Sequence, residues 1–163
     1  KRIFQTPGLV DFAHRIGLVE ASPTAGRTLL EAGEIVGVAP GGMREALRPR
    51  DARYEVRWDN RKGFVRLALR AGVPIVLSAC PAADDLYDVY GNALTDWIYE
   101  QVHVPVPFAR GVGPSLWPRP VRLTHHIAVP IVPPPHDPAH EAEQVEALHA
   151  TTLATMRELM SRR

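Results

Sequence analysis

The chain has 163 residues, of which 45% are hydrophobic and 23% charged, and a formal net charge of +1. That balance fits one globular domain with a real core and excludes the disordered and collagen-like classes. It gives no whole-chain attraction to nucleic acid, and no run reaches the roughly 18 consecutive apolar residues of a spanning helix.

The one cysteine, Cys80, sits in an apolar run and has no second cysteine to bridge. It reads as a small buried hydrophobe in a reducing compartment. The sequence opens at Lys1 with no signal peptide, and "FQTPG" follows almost at once. It reads as a stretch of a larger chain, a single partial domain over 1–163.

Taken in order, "SPTAGRTLLEAG" predicts a short helix, with Ser22 as N-cap, Pro23 at the first helical position and Gly33 as the stop. "EIVGVA" follows as a short apolar run suited to a buried strand. "RKGFVRLALRAG" places Phe64, Leu67, Ala68 and Ala71 on one helical face and Lys62, Arg66 and Arg70 on another, with Gly72 ending the helix. "VPIVLSA" is the next strand, so a parallel β-α-β crossover is expected.

Beyond it, "LTDWIYEQV" predicts a helix and "VRLTHHIAVPIV" an edge strand limited by Pro130. A terminal helix is expected from Asp137 as N-cap and Pro138, with Val145, Leu148, Thr152, Met156 and Leu159 in one stripe. The expected class is α/β, a mostly parallel sheet flanked by helices, with function near the carboxyl ends of its strands. The prolines concentrated in 105–120 and 130–138 mark connecting loops.

At the end of "EIVGVA" stands "PGGMREAL". Gly41 and Gly42 allow positive φ and close backbone approach, and the amides opening the next helix face whatever binds there. Arg44 supplies a planar fork of donors for phosphate or carboxylate, and Glu45 can orient it, cap amides or accept from a hydroxyl. On spacing alone, a tight turn is the commoner use of two glycines after a strand.

The longer strings "LLEAGEIVGVAPGGMREAL" and "RKGFVRLALRAGVPIVLSA" resemble the lysophospholipid and glycerolipid acyltransferase superfamily, in particular its diacylglycerol-acyltransferase-like branch. The resemblance runs from about Gly17 to Ile131, and "LHATTLATMRELM" is similar to the end of such domains. It implies transfer of a fatty acyl group from acyl-CoA or acyl carrier protein to a hydroxyl of a lipidic acceptor, a neutral glycerolipid or lysophospholipid. It further implies an acceptor or oxyanion region at Gly41, Gly42, Arg44 and Glu45, with Arg61 and Lys62 helping to seat CoA. Acyl-CoA enters as co-substrate, with no other cofactor and no metal. The implied setting is the cytoplasmic side of a membrane, peripheral or anchored through a segment upstream of Lys1.

Catalysis in that family uses an H-x4-D motif upstream of the glycine block, the histidine acting as general base. Five positions beyond the histidines here stand Val19, Phe108, Pro130, Ile131, Glu141, Val145 and Ala154, none of them aspartate. The expectation is that these 163 residues alone are inactive and that the histidine lies outside them. Enzymes acting on phosphorylated acceptors have Phe-Pro-Glu-Gly-Thr-Arg at this turn, where this chain has Ala39-Pro40-Gly41-Gly42-Met43-Arg44. Glu20 and Ser22 stand where those enzymes carry a phosphate-binding arginine. Both departures lean toward a neutral acceptor.

Between the two blocks, "RPRDARYEVRWDNRK" carries about +3 with Tyr54 and Trp58 interleaved. It reads either as a solvated loop or as a surface attracted to anionic headgroups or CoA phosphates, its aromatics at the interface. "VPFARGVGPSLWPRP" places Phe108, Leu116 and Trp117 in a proline-rich loop that packs back on the domain, lines an acyl chain or enters a bilayer. His125 and His126 are adjacent on an expected strand, so they face opposite ways and cannot share a metal. The competing readings are a non-catalytic lipid- or membrane-binding module of the same fold and a phosphate-binding α/β domain. Against the latter, no Gly-Lys-Ser/Thr follows the turn.

Overall fold

A computed structural model describes residues 9–46, 48–90 and 108–162. Its helices are α1 (Leu9–Arg15), α2 (Pro23–Glu31), α3 (Gly42–Ala46), α4 (Gly63–Ala71) and α5 (Glu141–Ser161). Among the described residues, four short strands, β1 (Ser78–Ala79), β2 (Asp88–Tyr90), β3 (Phe108–Arg110) and β4 (His126–Ile127), lie between α4 and α5; a 3-10 turn at Arg50–Ala52 precedes α4 and another at Pro81–Asp85 follows β1.

Local chemistry sets the ends of α2 and α4. The Ser22 hydroxyl accepts from the Ala25 amide at 3.1 Å, Pro23 occupies a position whose N–H has no helical partner, and Gly33 leaves α2 with φ +80°. At the end of α4, Gly72 is left-handed, its amide donating to Leu69 and that of Val73 to Ala68. These crossed bonds satisfy carbonyls that a helix end otherwise strands. In contrast, α5 begins at Glu141, later than the Asp137 cap predicts. Asp137 instead closes the preceding turn, accepting from the Ala139 amide at 2.9 Å and pairing with His140 at 2.7 Å.

Helix α4 is covered on two sides, which the single apolar face read from its sequence does not capture. Val65 and Leu69 pack with Val145 and Leu148 of α5. Toward α2, Gly26 lies so close that a Cβ there would stand 2.6 Å from a Leu67 methyl. Ala71 is left exposed. A second cluster joins Trp58, Leu77, Ala79, Leu159 and Met160, and Phe64, Ile75 and Ile131 touch both. Trp58 is 2% exposed, its ring 5.3 Å from that of Phe64 in an edge contact. It belongs to the core, which removes it from any interfacial role.

The strands form two antiparallel pairs. β1 pairs with β4 in the register Ser78↔Ile127 and Ala79↔His126, extended by reciprocal 2.9 Å bonds between Ile75 and Ile131. β2 pairs with β3, setting Asp88 opposite Arg110 and Val89 opposite Ala109. The described residues hold no parallel ladder. The segment 34–39, expected as a buried strand, has no strand partner among the described residues, with Ile35 99% and Val38 55% exposed. A ladder needs two chains, and the chain returning through 126–131 lies along 75–79 instead. The helix expected over 94–102 lies outside the described residues. No described helix is long and apolar enough to cross a membrane.

Candidate functional site

The exposed segment 34–39 leads into the glycine bend. The Gly42 amide donates to the Ala39 carbonyl at 3.1 Å, and Gly42 has φ +57°, a conformation that costs a residue with Cβ. Gly41 is buried for a different reason: the Glu45 side chain folds back over it. A Cβ at Gly41 would stand 2.1 Å from Glu45 Oε2 and 2.3 Å from its Cβ. The first glycine is thus required by packing and the second by backbone twist.

Arg61 closes the bend from the other side. Its Nη1 donates to the carbonyls of Pro40 at 2.8 Å and Gly41 at 2.6 Å. Glu45 Oε1 accepts from the Arg57 amide at 3.2 Å and lies 4.0 Å from Arg48 Nη2. Arg48 also donates from Nε to the Glu45 carbonyl at 2.9 Å and from Nη1 to the Glu55 carbonyl, and meets Asp84 at 3.4 Å. Asp84 accepts from the Tyr54 amide at 2.7 Å, and Asp85 from the Tyr54 hydroxyl at 2.7 Å. Basic and acidic groups from 45–62 and 84–85 therefore hold the bend in one conformation.

The sequence-predicted residues divide accordingly. Gly41, Gly42, Glu45 and Arg61 come together, but Glu45 and Arg61 are engaged with the bend itself. Lys62 points elsewhere and pairs with Glu146 of α5. Arg66 and Arg70, the rest of the basic face of α4, converge on Glu141, Arg70 through two 2.8 Å bonds. Arg44 lies in α3, and its side chain is outside what the structure describes. Among the described residues no cluster of ligating side chains is arranged to hold a metal.

Beside α3 opens a cavity of about 320 Å³ lined by Ala46, Arg48, Asp84, Tyr87, Val89 and Leu116, with Ala83 and Ala109 completing its wall. It is mostly apolar, with one ion pair, Arg48 with Asp84, in its lining, as a site for a ligand with an apolar body and a polar end requires. Strand alternation explains the lining: Val89 and its partner Ala109 turn toward the cavity, while Asp88 and its partner Arg110 lie on the other face.

On that other face Asp88, 4% exposed, gathers four arginines. Arg53 donates to Oδ1 at 2.6 Å and Arg119 to Oδ2, while Arg110 stands at 3.7 Å and Arg50 at 3.9 Å. The Arg119 hydrogen bond, with further help from Arg50 and Arg53, holds the Asp88 carboxyl below its ordinary value against the opposing effect of burial. Sequence reasoning does not single out Asp88. The signal present was the acidic "DDLYD" downstream of the basic "RPRDAR".

His136 and Glu141, at the spacing nearest to H-x4-D, do meet, with Nε2 2.8 Å from Oε2. Arg70 and then His136 hold the Glu141 carboxyl at about 2. A carboxylate so fully engaged by two arginines and a histidine serves to join α4 to α5.

A sequence model of the family described as diacylglycerol acyltransferase matches residues 1–163. A Gallus gallus protein described as a DGAT1/2-independent enzyme synthesizing storage lipids is 30% identical over 161 residues, covering 98% of this chain and 45% of the relative. Its Bos taurus counterpart is 35% identical over 118 residues, 72% of this chain and 32% of the relative. Diacylglycerol O-acyltransferase 2B of Umbelopsis ramanniana is 28% identical over 120 residues, 67% of this chain and 34% of that protein. The chain spans less than half the length of these curated relatives. No solved structure matches it.

Proposed function

The chain belongs to the diacylglycerol acyltransferase family, and from that premise we propose that it is part of an O-acyltransferase using acyl-CoA, or an acyl carrier protein, as donor. The acceptor in this reading is a neutral glycerolipid or a lysophospholipid, met at a membrane surface from the cytoplasmic side. The acceptor oxygen attacks the thioester carbonyl, the C–S bond breaks, and the hydroxyl proton passes through a base to the leaving thiol. No histidine here has an aspartate five residues on, so the base is assigned to residues outside these 163, and the piece alone is inactive.

The observation that carries the reading is that the family's glycine bend is clamped in place while its helix puts Ala46 in the wall of the apolar cavity. The clamp fixes where α3 begins, and a fixed backbone lets polar groups act on a reacting centre without reorganising. Arg44, one turn from the bend, is the residue we assign to the acceptor's polar end or the oxyanion. Glu45 and Arg61 hold the bend, and Lys62 ties α4 to α5. Part of the same reading is an α/β sheet in which 34–39 gains a strand partner. The open backbone there and the exposed Ile35 and Val38 support that.

The test is thioester-dependent transfer by the intact protein to a panel of neutral and phosphorylated acceptors. Transfer to neutral acceptors is expected. Lipid binding with no transfer to any acceptor would favour a non-catalytic module of the same fold.

A further inference from the structure

Two of the arginines around Asp88 make no hydrogen bond among the described residues. Both carboxylate oxygens are taken, Oδ1 by Arg53 and Oδ2 by Arg119. Arg50 and Arg110 are drawn to the same carboxylate but stop at 3.9 and 3.7 Å, beyond hydrogen-bond range. Their side chains are 63% and 53% exposed and make no hydrogen bond among the described residues. Four guanidinium charges against the carboxylates of Asp88 and of Asp85, which meets Arg53 at 3.6 Å, leave a local surplus of positive charge, and two planar donor forks face solvent.

An independent observation lies in the same place. Arg110 and Arg119 are the two feet of the loop 111–118, and both stand on Asp88. The loop is a tight fold: the Gly111 amide donates to Ser115 and the Val112 amide to Trp117, both at 2.8 Å, and Gly113 has φ +58°. It presents Trp117, 75% exposed, while Leu116 turns toward the cavity it helps to line. A large aromatic held open to water on this loop, beside Arg110 with its unspent donors, matches a bilayer's interface: anionic phosphates outside and an apolar layer just beneath. A soluble phosphate ester would use the arginines and leave Trp117 unexplained.

We propose that Arg50 and Arg110, gathered by Asp88, bind the phosphate of an anionic phospholipid while Trp117 enters the bilayer surface beside it. The site is distinct from the glycine bend, and it gives the membrane setting of the proposed function a defined contact. It rests on that reading only for the statement that a membrane is the working surface.

The test is sedimentation of the intact protein with vesicles of phosphatidylcholine alone and of phosphatidylcholine with phosphatidylserine. Alongside the unaltered protein run Arg50→Gln/Arg110→Gln, Trp117→Ser and, as a control for loss of a surface charge elsewhere, Arg27→Gln, a surface residue paired with Glu31. Binding is expected to require the anionic lipid and to weaken with salt. It should fall roughly fivefold for each of the two arginines removed, fall for Trp117→Ser on the anionic vesicles, and hardly change for Arg27→Gln. Equal binding to both vesicles, equal losses in control and double variant, or binding of inorganic phosphate and CoA with no vesicle binding would each overturn the proposal. Acyl transfer with detergent-dispersed substrates, measured in the same variants, separates loss of this contact from failure of the acyltransferase reading, because only the latter abolishes it in the unaltered protein.

Discussion

Arg70 and Glu141 face each other through two parallel 2.8 Å hydrogen bonds, joining the middle of the chain to its terminal helix. Arg66 and His136 add to the same carboxylate, at 3.3 and 2.8 Å. Glu141 also opens α5, where a negative charge is favoured by the helix dipole. Glu141→Gln keeps the shape and removes the charge, so thermal unfolding should shift to lower temperature. Arg27→Gln, which breaks an exposed pair within α2, should shift it little.

The same carboxyl sets an acid limb. Its value is about 2 in the folded chain against an ordinary 4.5, so between these values the unfolded chain binds a proton that the native one does not. Stability from this group is therefore complete above 4.5 and lost as pH falls toward 2. Denaturant midpoints measured across that window should decline in the unaltered protein and decline less in Glu141→Gln.

His149 predicts a second and higher window. It is 6% exposed, packs beside the Trp58 and Phe64 pair with each ring centroid 6.5 Å away, and its Nε2 has no hydrogen-bond partner among the described residues. Burial, then the charge of Lys62, lowers its value from 6.5, with Glu146 opposing. The native ring stays neutral where the unfolded one protonates, so this contribution is complete above 6.5 and is lost as pH falls below it. His149→Leu should flatten the stability profile just below 6.5 and leave the Glu141 limb in place.

Gly41→Ala tests the packing of the bend. The added methyl falls within 2.1 to 2.4 Å of Glu45 atoms, and overpacking of this kind costs about 1–3 kcal/mol. Gly41→Ala/Glu45→Ala should recover part of the loss in a chemical denaturation series. Equal stability of Gly41→Ala and the unaltered protein would show that Glu45 does not lie over the glycine.

Elements governed by neighbours in sequence were legible. Ser22-Pro23 and Gly33 bound α2, and Gly72 ends α4, because caps and left-handed stops depend on a few adjacent residues. The stripe Val145, Leu148, Thr152 and Leu159 is buried as its spacing implies. Properties set by distant partners were not. Nothing near Trp58 in sequence shows that Leu159 and Met160 enclose it, nor does the basic face of α4 show that Glu141 and Glu146 occupy it.

The candidate site divides the same way. The glycine bend was found as a bend, yet the sequence suggested open donors where the structure has Arg61 on the carbonyls and Glu45 over Gly41. Arg61 reaches back twenty residues or more to do so, a separation that no local pattern encodes. Asp88 was missed because one buried carboxylate among arginines from three segments is a tertiary fact.

The most direct measurement of the central claim is thiol release from a long-chain acyl-CoA by the intact protein, with diacylglycerol as acceptor and with Arg44→Ala and Lys62→Ala compared. The account predicts acceptor-dependent release, a loss of roughly 10²- to 10³-fold in Arg44→Ala, the size expected when a donor to a developing charge is removed, and near-full activity in Lys62→Ala. Release that ignores the acceptor, or equal activity in the unaltered protein and Arg44→Ala, would contradict it.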